Sequence, residues 1–242
     1  MNPAEREIEI MFCVRWVATA SLLVLLGGPA VAEDFRDLFN GKDLDGWVAE
    51  GVKDFVKDGE TRPVWSVKDG EILCTGKGFG FLRYAREEFA DFIFRVEFRM
   101  APKCNSGLGI RTRVFDPKSS KATRPSIYSY EIQLTDDAGL PATKHSSGSL
   151  YRYVAPKESA MRPASEWNRI DVECVGPHVK VTLNGKEIID VDQTTIEELK
   201  QKPLKGYVCL QNHGGTIEFR NVRIQEIKGT GDGSGTKLST IR

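Results

Sequence analysis

Alternation of apolar and polar residues with a period of two dominates the chain. From Asp91 to Met100, Phe92, Phe94, Val96, Phe98 and Met100 alternate with Ile93, Arg95, Glu97 and Arg99. This predicts a strand with one core face and one mainly charged face. Shorter segments repeat the theme. Val64 to Lys68 and Glu71 to Thr75 flank Asp69-Gly70, a type I′ hairpin signal. Phe81 to Tyr84, Ser106 to Phe115, Ile127 to Leu134, Ser149 to Val154, Trp167 to Val175, His178 to Asn184 and Lys186 to Val191 also read as strands.

Between them, Asp54 to Arg62, Pro117 to Pro125 and Asp136 to Ser147 read as polar loops, and Gly76 to Gly80 as a flexible turn. Phe39 and Trp47 bracket the turn pairs Asn40-Gly41 and Asp45-Gly46, and anchor that segment on the core. About a dozen short strands with almost no helix predict an all-β fold, an antiparallel β-sandwich of jelly-roll type.

The stretch Tyr207 to Ile227 reads as two strands joined at Gly214-Gly215. On the first, Val208 and Leu210 share one face while Gln211 and His213 share the other. Ile217, Phe219, Val222 and Ile224 form the apolar set of the second. Elsewhere Glu131 and Gln133 share a face, as do Gly107, Gly109, Arg111 and Arg113. Three strands thus offer polar faces to one site.

The N-terminus is read separately. Arg15 precedes the apolar run Trp16 to Leu26, and Ala30-Val31-Ala32 supplies small residues at a cleavage point. Residues 1–32 are read as a signal peptide, 33–228 as one jelly-roll domain and 229–242 as a flexible Gly/Ser/Thr tail. The acidic Glu5, Glu7 and Glu9 make Met11 an alternative start. The apolar run is short for a membrane span, so a secreted or periplasmic protein without stable membrane insertion is expected. The 242 residues are 40% hydrophobic with a net charge of +0, which argues against nucleic acid as a partner. Beyond Cys13, the cysteines Cys74, Cys104, Cys174 and Cys209 have long irregular spacings and read equally as bridges or buried thiols.

Seven segments come in order: FNGKDLDGW, NSGLGIRTR, YEIQLTDD, GSLY, EWNRIDVECVG, LNGKEI and GYVCLQNHGGTIEFRNVRI. Together they resemble the DUF1080 family, the 3-keto-disaccharide hydrolases or 3-keto-glucoside lyase/hydratases, from about Phe35 to Ile227. The resemblance implies a concanavalin A-like jelly roll and action on 3-keto sugars made by a separate oxidoreductase. Gly206-Tyr207-Val208 departs from the family's usual Gly-Pro-Ile start, and Lys118, Lys121 and Arg124 make one loop basic. Both departures bear on substrate preference.

A C3 ketone acidifies the hydrogen on C2, so a base can remove it and the C1 substituent then leaves by elimination. Such chemistry needs a base, an enolate stabiliser and an acid. His213 is the first candidate base because imidazole titrates near neutral pH. Glu131 is the second, as base, acid or metal ligand; its structural alternative is a salt bridge to Arg111. Arg111 is the candidate enolate stabiliser. Gln133, Gln211 and Asn105 suit hydroxyl recognition. Tyr151 is placed against the sugar ring and His145 in a lid loop. Trp167 is expected in the core, and His178 is expected to be inert.

No organic cofactor is indicated, and a divalent metal ion stays open, with His213, Glu131 and Asp136 or Asp137 as its candidate ligands. A non-catalytic lectin-like module is the alternative reading. The run at Glu131 lacks the E-x-D-x-x-E of jelly-roll glycanases, and no G-x-S-x-G occurs.

Overall fold

The computed structural model describes residues 34–227. The expected signal peptide and C-terminal tail lie outside the described residues. Fifteen strands form two packed antiparallel sheets and a small ribbon. The larger sheet runs in the order β13 (Lys186–Asp192), β12 (His178–Leu183), β11 (Asn168–Val175), β8 (Phe92–Met100), β15 (Ile217–Glu226), β6 (Glu71–Cys74) and β5 (Trp65–Lys68), with β1 (Arg36–Asp37) added against β15. The smaller sheet has the order β10 (Tyr130–Thr135), β9 (Asn105–Thr112), β14 (Tyr207–Asn212), β7 (Gly80–Tyr84) and β2 (Trp47–Gly51). Sequence neighbours are mostly not sheet neighbours, as expected of a jelly roll. Among the described residues no helix is long and apolar enough to cross a membrane.

The core fills the space between the sheets. The apolar face of β8 is entirely buried, and it meets Leu108 and Ile110 of β9, Ile132 and Leu134 of β10, and Val208 and Leu210 of β14 in one cluster. Phe39 and Trp47 join that cluster, and Trp47 Nε1 donates to the Leu38 carbonyl at 2.8 Å. Asp69 and Gly70 both have positive φ, as a type I′ turn requires.

Several expectations are corrected. Asp54 to Arg62 is not a loop: β3 (Asp54–Lys57) and β4 (Glu60–Pro63) pair as an exposed ribbon. Apart from the half-buried Phe55 the ribbon is exposed, which removes the alternation that would mark these strands. Ser149 to Val154 is not a strand. Leu150 makes isolated bridges, and Tyr153 N and Val154 N both turn back to its carbonyl. The Pro117 to Pro125 loop contains a 3₁₀ turn (Pro117–Ser119) and α1 (Ser120–Thr123), and α2 (Pro125–Tyr128) follows.

The expected hairpin at Gly214-Gly215 is instead a crossing between sheets. β14 pairs with β7 and β9, whereas β15 pairs with β8, β6 and β1. The four cysteines of the described residues are buried free thiols. Trp167 lies outside the core, with the guanidinium carbons of Arg220 and Arg99 at 3.8 and 4.7 Å from its ring centre.

Candidate active site

The outer face of the five-stranded sheet carries the candidate chemistry. Glu131 and Gln133 on β10 stand opposite Gly109 and Gly107 on β9 in the antiparallel register. Cys209 on β14 also aligns with Gly109, which puts Gln211, two residues on, on the same face. The glycines make the floor low enough for long side chains to lie across it. A β-carbon on Gly107 would meet Glu131 Cγ at 3.1 Å and Gln211 Oε1 at 3.4 Å. Glu131 and Gln211 therefore close over one strand from both sides.

A segment from distant sequence covers this floor. Phe115 N donates to Glu50 Oε2 at 2.8 Å, and Glu50 Oε1 accepts from Arg83 Nε at 2.7 Å. This buried ion pair fixes the start of the covering segment. α2 places Ser126 within hydrogen-bonding reach of the Glu131 carboxyl, and Arg124 precedes it. Tyr151 N donates to the Glu131 carbonyl at 2.9 Å, while its ring meets His145 edge-on at 5.2 Å. Two of the expected ligand-binding residues thus flank β10.

Glu131 is 5% exposed. Burial pushes its carboxyl up to about 7, outweighing the opposing influence of Gln211, Ser126, Arg124 and Arg152. His213 follows β14 and packs edge-on against Phe79 with ring centres 5.2 Å apart. Desolvation first, and the charge of Arg124 second, lower its pKa, so the imidazole is neutral at neutral pH. Arg124 acts on both groups, and its guanidinium carbon lies 4.4 Å from the Phe79 ring centre. Gln133 Oε1, Gln211 Oε1, Asn105 Oδ1 and Arg124 Nε are buried without a hydrogen-bond partner in the protein. Such atoms are uncommon, and here they suit a hydroxyl-bearing ligand.

Arg111 does not belong to this face. Tyr207 aligns with Thr112 and Cys209 with Gly109, so β9 carries one extra residue there. Arg111 has φ +52° and turns inward at this bulge. It is fully buried and donates to the carbonyls of Ala90 at 2.7 Å and Gly176 at 2.7 Å, beside Asp91 at 3.4 Å. The bulge reverses the alternation on which the enolate-stabilising assignment rested. Arg124, Ser126 and Phe79 take places at the site that no periodicity revealed, because they lie in irregular segments; the basic character of the loop was the only signal.

The suggested metal ligands do not converge. Asp136 accepts from Lys103 N and Asp137 from Ser147 N, each at 2.8 Å. Among the described residues no group of three or more His, Cys, Asp or Glu side chains is placed to hold an ion. His178 lies on the other sheet, paired with Asp190 at 2.5 Å. A depression of about 420 Å³ beside Trp167 also lies there, where Glu97 pairs with Arg220, Asp171 with Arg169, and Arg162 donates to the Trp167 carbonyl.

The fold is thus a two-sheet β-sandwich with a buried carboxyl and amide oxygens lacking protein partners on one face. The chain belongs to the family of 3-keto-alpha-glucoside-1,2-lyase-like domains, whose model matches residues 34–225. It is 23% identical over 237 residues to a 3-keto-disaccharide hydrolase of Bacteroides thetaiotaomicron, covering 81% of this chain and 80% of that one. Two solved structures, each of a "putative glycosyl hydrolase" from Parabacteroides distasonis, share the fold. The first has a TM-score of 0.67 and 24% identity over 81% of this chain and 96% of the other. The second has a TM-score of 0.61 and 23% identity over 80% and 99%.

Proposed function

We propose that the chain is an exported enzyme that cleaves 3-keto-glycosides by elimination followed by hydration. Export rests on the sequence pattern of residues 1–32. The observation that carries the catalytic reading is Glu131, a carboxyl held near neutrality by burial among amides with free hydrogen-bonding capacity. A general base works best when its pKa lies near the working pH. Glu131 at about 7 is better matched than His213, whose pKa is lowered. The order of the two candidates is therefore reversed from the sequence reading.

In this mechanism the ionised Glu131 takes the C2 proton. The C–H electron pair forms the enolate with the C3 ketone, then the C1=C2 double bond, as the C1–O bond breaks. The departing oxygen takes the proton that Glu131 then carries and leaves as an alcohol. Water adds across the double bond and gives the free 3-keto sugar. Arg124 offsets the negative charge as it passes from the enolate to the departing oxygen. His213, beside Phe79, hydrogen-bonds that oxygen. Gln133, Gln211 and Asn105 hold the sugar hydroxyls, and Tyr151 with His145 borders the ring.

The test is turnover of 3-keto-glycosides in deuterated water, with non-enzymatic exchange subtracted. Deuterium at C2 of the product is expected, at a rate that falls by ~10² or more in Glu131→Gln. Cleavage without C2 exchange would remove the elimination mechanism. Sugar binding without any cleavage would favour the lectin-like alternative.

A further inference from the structure

Phe79 and Arg124 also border a cavity of about 390 Å³ whose lining does not include His213. Val52, Phe79, Phe115 and Pro117 supply its apolar walls. Ser120 and Arg124 are the polar side chains among the lining residues. Phe79 and Phe115 meet edge to face with ring centres 5.7 Å apart, and Arg124 already lies over Phe79. Phe79 is thus shared: one side contacts His213, and the ring also lines the cavity.

We propose that this cavity receives the C1 substituent and that it selects an aromatic aglycone. The inference rests on the elimination reading and deepens it. Two pieces of chemistry direct it. First, the cavity adjoins Arg124, the charge that faces both proton-transfer candidates, so a sugar ring over Glu131 can project its C1 substituent past Arg124 into the apolar walls. Second, a second hexose would bury several hydroxyls against walls that offer one hydroxyl and one guanidinium, and unmade hydrogen bonds weaken binding. A flat aromatic group loses nothing there. It gains apolar burial, edge contacts with Phe79 and Phe115, and stacking on the guanidinium.

The floor also holds this wall in place. Asn212 Nδ2 donates to the Lys77 carbonyl at 2.7 Å, which ties β14 to the loop that carries Phe79. Val52 N donates to the Phe79 carbonyl at 3.0 Å. The aglycone wall and the sugar floor are therefore parts of one hydrogen-bonded unit.

Methyl and benzyl 3-keto-glucosides release alcohols of similar acidity, so their ratio reports binding of the substituent. The wild-type protein is expected to show kcat/KM higher for the benzyl than for the methyl compound by about tenfold or more, the effect of burying one ring. Val52→Asp adds a charge at the partly exposed rim, and Ser120→Trp fills the cavity; each is expected to bring the ratio toward one. A wild-type ratio near one overturns the proposal, as does a ratio that neither substitution changes. Turnover of either compound, with deuterium at C2 of the sugar product, reports the elimination reading independently of the ratio. If neither compound is turned over, that reading fails and the aglycone assignment falls with it.

Discussion

Glu131 shows how one residue acquires its chemistry from its surroundings. A solvated glutamate would be ionised at pH 7 and would be a weak base. Here burial at 5% exposure raises its pKa from 4.5 to about 7, against the opposing pull of Gln211, Ser126, Arg124 and Arg152. Between those two values the folded chain holds a proton that the unfolded chain has released, so stability falls as pH rises from about 4.5 to 7. The loss is at most about 3 kcal/mol. Glu131→Gln removes the penalty. Its melting temperature should exceed that of the wild type at pH 8 and approach or fall below it at pH 4.5, in thermal melts followed by circular dichroism. As a base, Glu131 must be ionised, so wild-type kcat/KM should rise with pH through about 7 and then level. That inflection should be missing from the residual activity of the variant.

At the scale of elements, two bulges decide which side chains face where. In β9 the extra residue turns Arg111 inward, where it binds two carbonyls and Asp91. In β15 the register shifts between Arg220 and Arg223, with Asn221 at φ +48°, and this returns Val222 to the core after Phe219. The first bulge has a measurable consequence. Arg111→Met leaves two carbonyls without their donor and Asp91 with only the Gly176 N–H, and should cost about 3 kcal/mol, read as a lower urea midpoint. The acidic limb of the pH profile should keep its position in the folded fraction. A variant that folds normally but loses the inflection near 7 would return Arg111 to the site. The apolar set of β15 was legible because residue identity marks core positions on both sides of a bulge. The polar set of β9 was not, since an arginine suits either environment until its partners are known.

For the whole molecule, the Gly214-Gly215 turn matters most. It carries the chain from the sheet that holds the site to the sheet that backs it, and Asn105 N donates to the Gly214 carbonyl at 2.7 Å, next to His213 in the chain. Gly215 has φ +74°, and a β-carbon there would lie 2.7 Å from Cys104 Cα. Gly215→Ala should therefore destabilise by about 2 kcal/mol or more. The expected fall in melting temperature is roughly 4–8 °C, with reduced turnover through displaced His213. An unchanged melting temperature would show that the crossing is not under this constraint.

Alternation and turn chemistry alone determined the sandwich, most strands, and the shared face of Glu131 with Gln133. These follow from the two-residue period of a strand and from backbone angles that few residues adopt. The ordered motifs also carried the family. Only the tertiary structure decided which strands are neighbours, which way Arg111 turns, and that Arg124, Ser126 and Phe79 close over the floor. Those facts depend on contacts between residues far apart in the chain. Local periodicity holds no record of such contacts, and burial, which tunes Glu131, is a property of the assembled fold.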